Sequence, residues 1–272
     1  MKLFLIIGIL SVFLGILACG IQNKTVAADV PPAKETSNKN EAAKNKPPVL
    51  VELFTSEGCS DCPSADRVLA RLEKEQPNAD AEIITLALHV DYWNRLGWTD
   101  EFSSHFYSER QNGYADRFKL DSIYTPQMVV DGQNEFVGSN FTTAQSAISA
   151  AAKNQKADIE ITNGAGAKNP NVKVKISDLP AHENSYVWLV IAEDNLQTNV
   201  KSGENGGRTL SHISVAREMK LVGEIKATDK IFEIDAAFQF QPNWNKKNLK
   251  SVVFVQGKET KKIYGVNRKV LG

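Results

Sequence analysis

The chain has 272 residues, 42% of them hydrophobic and 24% charged, with 32 basic and 32 acidic side chains and a formal net charge of zero. That length is too great for one small domain and suits two modest domains plus a targeting segment. A balanced charge with no basic run interleaved with aromatics argues against nucleic acid as a partner.

The first segment, residues 1–19, reads as an export signal. Lys2 supplies a positive start, and Leu3 to Ala18 is apolar apart from Gly8, Ser11 and Gly15. The run is short for a membrane span. It ends Ile16-Leu17-Ala18-Cys19-Gly20, which resembles the bacterial lipobox, so Cys19 is the expected lipidation site. An ordinary signal cut near Ala27-Ala28 and an uncleaved anchor are the alternatives. Residues 20–48 are rich in Lys, Asn, Ala and Pro and cannot bury a core, so they read as a disordered tether. The expected location is the bacterial cell envelope, as a periplasm-facing lipoprotein held to the membrane by its lipid anchor only.

Val49 to Phe54 has the pattern of a buried strand, and Cys62 to Glu75 that of a helix with Ala65, Val68, Leu69 and Leu72 on one face. Ile83 to Val90 reads as a second strand. Asp100 to Phe118 carries aromatics at roughly helical intervals. Gln127–Val130 and Glu135–Val137 flank Asp131-Gly132, the signature of a hairpin turn. Thr142 to Lys153 is an alanine-rich helix. This alternation predicts an α/β domain over residues 49–156, a mixed sheet flanked by helices. From residue 157 to 272 short β runs separated by Gly, Pro and Asn predict a small all-β sandwich.

Three cysteines are present, and the signal accounts for one. Cys59 and Cys62 remain, with Ser60 and Asp61 between them, and no further thiol is left to form a structural bridge. The pair lies between a strand and a helix start, where the positive helix end favours the reactive thiolate. Pro63 follows in the first turn, where proline costs the helix nothing. Thr125-Pro126 precedes the apolar hairpin. In this order of elements the chain resembles the thioredoxin superfamily. The resemblance implies a cis-proline at Pro126 facing the cysteines, shaping a peptide groove and keeping metals off the thiols, with the Thr125 backbone pairing to substrate. His89-Val90-Asp91-Tyr92-Trp93-Asn94-Arg95-Leu96-Gly97-Trp98, the Val51 to Cys59 entry and Gly203-Glu204-Asn205-Gly206-Gly207-Arg208-Thr209-Leu210 resemble a family of secreted thioredoxin-like proteins without an assigned activity. That family likeness implies fold and export, not a substrate.

The expected activity is thiol–disulfide exchange, with Cys59 attacking a disulfide and Cys62 resolving the mixed disulfide. Asp61 opposes the thiolate, which points towards a reductase or isomerase rather than a strong oxidant. A protein or small-molecule disulfide is the implied substrate and a membrane electron donor an implied partner; no cofactor or resident metal is implied. Glu52 precedes Cys59 by seven residues, one residue out of register with the buried acid of thioredoxins, and a paired or exposed strand carboxylate is the alternative. His89 could hold a proton or a metal, or be a satisfied structural side chain. Tyr92, Trp93 and Trp98 either line a groove or pack in the core. The Gly203 to Arg208 loop lacks the context of a phosphate cradle and reads as a turn docking on the first domain. Two other functions compete. One is a copper-binding envelope protein using Cys62-Pro63 with His89, His105 or His212, although such proteins separate their cysteines by three residues. The other is a non-catalytic binding module with an inert Cys59–Cys62 bridge. No hydrolase or Walker-type spacing appears.

Overall fold

The computed structural model describes residues 46–164 and 170–272. The expected signal, Cys19 and most of the expected tether lie outside the described residues.

The first half runs β1 (Pro48–Thr55), α1 (Cys62–Glu75), β2 (Glu82–His89), α2 (His105–Phe118), β3 (Gln127–Val130), β4 (Asn134–Val137) and α3 (Phe141–Ala151). β1 and β2 pair in parallel, and β3 runs antiparallel to β1. Strands covered on both faces need an apolar residue at nearly every position, and β1 is buried from Val49 onward. Its alternate side chains serve two cores. Val49, Val51 and Leu53 pack with Ala65, Leu69 and Leu72 of α1 and with α3, whereas Leu50 and Phe54 pack with Tyr107 and Tyr114 of α2. α1 starts with proline in its first turn and stops at Gln76, whose left-handed φ of 45° lets its N–H cap the Leu72 carbonyl before Pro77. Ser104 caps α2 by accepting the Phe106 N–H. Asp131 and Gly132, both at positive φ, close the hairpin as their sequence demands.

The second half contains β5 (Asp158–Asn163), β6 (Asn171–Ser177), β7 (Ser185–Glu193), β8 (Leu196–Asn199), β9 (Thr209–His212), β10 (Val215–Ile225), β11 (Phe232–Ala237), β12 (Leu249–Gly257) and β13 (Ile263–Val270). These strands do not build a sheet apart from the first. β10 meets the open edge of β2, where Val215 pairs with Ala87 and the Ala87 N–H donates to the Ser214 carbonyl at 2.8 Å. One eight-stranded sheet results, in the order β13-β12-β7-β10-β2-β1-β3-β4. A three-stranded sheet, β11-β6-β5, covers its far end around Ile159, Val172, Val174, Leu189 and Val253. The sandwich read from residue 157 onward therefore has one layer of its own and borrows the other. The physical reason is the edge of β2, whose unpaired backbone groups require a partner when buried. β8 and β9 form a short ribbon that returns towards the start of α1.

Candidate functional site

β1 ends at Thr55, and the chain turns through Ser56, Glu57 and Gly58 into Cys59. Cys59 and Cys62 form a disulfide, with Cα atoms 5.4 Å apart, at the N-terminus of α1. Both cysteines are buried, at 2% and 0% exposure, while Ser60 and Asp61 between them face solvent. The Asp61 side chain makes no capping hydrogen bond, so the helix presents its positive end to the cysteine turn.

Two segments enclose this turn. The first leads into β3: the Thr125–Pro126 peptide is cis, and the next residue, Gln127, pairs with Phe54 near the end of β1. Trp93 Nε1 donates to Thr125 Oγ1 at 2.8 Å. The backbone at Gly58 lies so near Trp93 that a Cβ there would meet the Trp93 Cβ at 3.1 Å. Tyr92 donates to Gln111 Oε1 at 3.1 Å, and Gln111 Nε2 donates to the Tyr124 carbonyl at 2.7 Å. Burial pushes the Tyr92 phenol up to about 12, against its hydrogen bonds. Tyr92 and Trp93 thus brace the Tyr124–Thr125 segment.

The second segment is the loop from Gly203 to Arg208, between β8 and β9. The buried Asn205 donates from Nδ2 to the carbonyls of both Glu57 and Cys59, each at 2.8 Å. Glu204 Oε2 accepts the Ser60 N–H at 3.0 Å. Gly203, at φ 73°, packs its backbone against Trp98, and Trp98 Nε1 donates to Glu57 Oε2 at 2.8 Å. The loop docks on the cysteine turn and covers it.

Beneath the turn lies a buried group of five ionisable side chains from five parts of the chain. His89, at the end of β2, contacts Asp100 through Nδ1 at 2.7 Å. The same Asp100 oxygen accepts the Glu57 N–H at 2.9 Å. His212, at the end of β9, places Nε2 3.1 Å from Glu57 Oε1 and Nδ1 3.9 Å from Asp66 Oδ2. Asp66 Oδ1 accepts from Thr55 Oγ1 at 2.9 Å. The His89 and His212 rings stand 5.0 Å apart, and Phe102 meets both edge-on. His89 Nε2 and His212 Nδ1 have no hydrogen-bond partner. Burial pushes the Asp66 carboxyl above its ordinary value, despite the pull of His212, His89 and Thr55. Burial opposes charge on His89, but the Asp100 carboxylate outweighs it and holds the imidazole above its usual pKa. Asp100 is lowered: burial would raise it, yet His89 and the N–H groups of Glu57 and Phe102 prevail.

The family model of DUF1223, described as a protein of unknown function, matches residues 50–256. The chain belongs to that family. The match runs from β1 into β12, so the family unit includes the cysteine turn, the covering loop and the strand that extends the sheet. The fold is similar to that of a protein from Agrobacterium tumefaciens solved by crystallography, at a TM-score of 0.65 and 22% identity, over 82% of this chain and 94% of that one. Two smaller likenesses are a domain of the outer membrane lipoprotein Omp28 from Porphyromonas gingivalis (TM-score 0.25, 16% identity, 43% of this chain and 89% of that one) and the E. coli curli protein CsgC (TM-score 0.21, 10% identity, 42% and 97%). No curated protein matches the chain.

Of the residues singled out from sequence, this DUF1223 member brings together Cys59, Cys62, Thr125, Pro126, Trp93 and His89 around one end of β1 and β2. Glu52 is elsewhere. It points to the α2 side of β1, where Arg110 Nε donates to Oε1 at 2.7 Å and Arg110 Nη2 to Oε2 at 3.1 Å. Thr55, three residues on, faces α1, so the parity of the strand removes Glu52 from the thiols. His105 is exposed near Asp91 and Glu109. Among the described residues no group of three or more His, Cys, Asp and Glu side chains has metal-holding geometry. The sequence reading missed Asp66, Glu57, Asp100 and Asn205. Asp66 carried a signal: it stands at i+4 from Cys62, inside the stripe Cys62, Ala65, Leu69, Leu72, where a carboxylate is out of place.

Proposed function

We propose that this chain is a thiol–disulfide oxidoreductase of thioredoxin-like kind, exported and tethered to the cell envelope through a lipidated Cys19. The observation that carries the reading is the Cys59–Cys62 disulfide at the positive end of α1. The cis Thr125–Pro126 bond beside the end of β1 supports it, as does the cluster of proton-binding groups below the pair. In the reducing direction the Cys59 thiolate attacks a substrate disulfide, forming one S–S bond and releasing one substrate thiolate. Cys62, after losing its proton, attacks Cys59 Sγ, closes the intramolecular bond and releases the second substrate thiolate. Asp61 and the Glu204 carboxylate on the Ser60 N–H both set negative charge near the helix start. They oppose the thiolate and favour a reductase or isomerase over a strong oxidant. The substrate is a protein or small-molecule disulfide, and electrons come from a membrane donor.

The test is the midpoint potential of the pair, titrated with glutathione on the full-length chain in detergent with Cys19→Ser, so that only one pair responds. A potential near about −270 mV supports a reductase, and one near about −120 mV would make the protein an oxidant.

A second reading, a structural bridge, draws on the burial of both cysteines under Asn205. It predicts that the pair resists glutathione and that Cys59→Ser with Cys62→Ser costs about 2 kcal/mol of stability, as closing so short a loop would contribute.

A further inference from the structure

Each passage through disulfide exchange requires a proton to leave or reach the resolving thiol. The Cys62 side chain is closed off from water, so its proton must go to a protein group. One helical turn along α1, at i+4 and on the same buried face, stands Asp66. Its Oδ1 is occupied by Thr55, and its Oδ2 faces His212 Nδ1 at 3.9 Å, within one side-chain adjustment of a hydrogen bond. That nitrogen has no partner, and the other side of the ring is held by Glu57. A buried carboxyl facing a free imidazole nitrogen has the geometry of a proton transfer, not of a finished structural contact.

Resting on the thiol-exchange reading, we propose that Asp66 and His212 form the proton relay of Cys62, so that the second half of the chain supplies part of the redox site. When Cys59 is joined to substrate in the mixed disulfide, Cys62 S–H gives its proton to the Asp66 carboxylate, and the resulting thiolate attacks Cys59 Sγ, closing the Cys59–Cys62 bond and releasing the substrate thiolate. Asp66 then passes the proton to His212 Nδ1. In reverse, the Cys59–Cys62 bond breaks on attack by an incoming thiolate, Cys62 leaves with the electron pair, and the proton returns from His212 Nδ1 through Asp66 to Cys62. The titratable groups facing Asp66 are His212 from β9, His89 from β2 and Asp100 from the segment before α2, with Glu57 beyond His212. His89 and Asp100 pair with each other, which leaves His212 as the base open to Asp66.

The test is resolution of a preformed Cys59–glutathione mixed disulfide, followed as glutathione release across pH 5 to 9 on the full-length Cys19→Ser chain. Asp66→Asn and His212→Gln should each slow release about a hundredfold at neutral pH and steepen its dependence on hydroxide. Asp66→Glu, which keeps the carboxyl, should recover much of the rate. Should Asp66→Asn not fold, His212→Gln carries the same comparison. Release with an unaltered pH profile in both variants would overturn the relay while leaving the exchange reading intact. A parent chain whose pair glutathione cannot open would overturn both.

Discussion

β1 divides two buried ionic networks that look alike in composition and differ in closure. On the α2 face, Glu52, Arg110, Tyr114 and Gln256 satisfy one another. Both Glu52 oxygens accept from Arg110, Tyr114 donates to Glu52 at 2.5 Å, and Gln256 joins Arg110 to Tyr114. On the α1 face, Glu57, Asp66, His89, Asp100 and His212 are as deeply buried, but His89 Nε2 and His212 Nδ1 are left without partners. A closed network in a low-dielectric interior fixes geometry; an open one keeps the capacity to take up a proton. The open network is the one that lies under the disulfide. Closure, rather than burial or charge count, separates a structural polar cluster from a candidate reactive one.

The largest effect should come from breaking the closed side. Arg110→Met leaves the Glu52 carboxylate buried and unpaired, and should cost about 3–5 kcal/mol in urea unfolding. Glu52→Gln combined with Arg110→Met removes both charges and should recover most of that loss. Equal destabilisation by the single and double variants would show that packing, not the unpaired charge, governs this face. The reduction of Cys59–Cys62 should be unaffected in the double variant, since neither residue faces the thiols.

What the sequence made legible follows the same division between local and distant causes. β1, α1 and the Asp131-Gly132 hairpin could be read because each is set by local period, capping or turn chemistry, and Cys62–Glu75 has the bounds its apolar stripe implies. The cysteines, Trp93 and His89 were legible for the same reason, as neighbours of a recognisable turn. The joining of β10 to β2 was not, because choice of partner depends on an open edge elsewhere in the chain. β13 is hard to read for a local reason: its later residues, Asn267, Arg268 and Lys269, are polar and hide the strand pattern. His212 meets Glu57 across 155 residues, a pairing that no local pattern encodes. Glu52 takes the second of its two readings, a paired strand carboxylate, because distance from Cys59 along the chain does not say which way a strand side chain points.

The covering loop gives a middle-sized effect. Asn205→Ala deletes two hydrogen bonds to the carbonyls of Glu57 and Cys59, and should cost about 1 kcal/mol for each. After reduction, Cys59 should react faster with iodoacetamide in this variant, because Asn205 is what holds the loop over it. Lower stability with no gain in alkylation would mean that the loop braces the turn without controlling access to the sulfur.

The smallest effect is the most discriminating between the two faces. Asp66 binds its proton more tightly in the folded chain than in the unfolded one, where its value is near 3.8. Its contribution to stability is therefore fully present below that value and is lost as pH rises through the elevated folded value. At neutral pH the residue costs stability. Asp66→Asn, which can still accept from Thr55 Oγ1, should raise the thermal midpoint at pH 7 and change it little near pH 3. Such a gain is the pattern of a site that keeps a destabilising group for chemistry. A loss of stability at pH 7 would instead place Asp66 with Glu52, as one more charge whose partners are already sufficient.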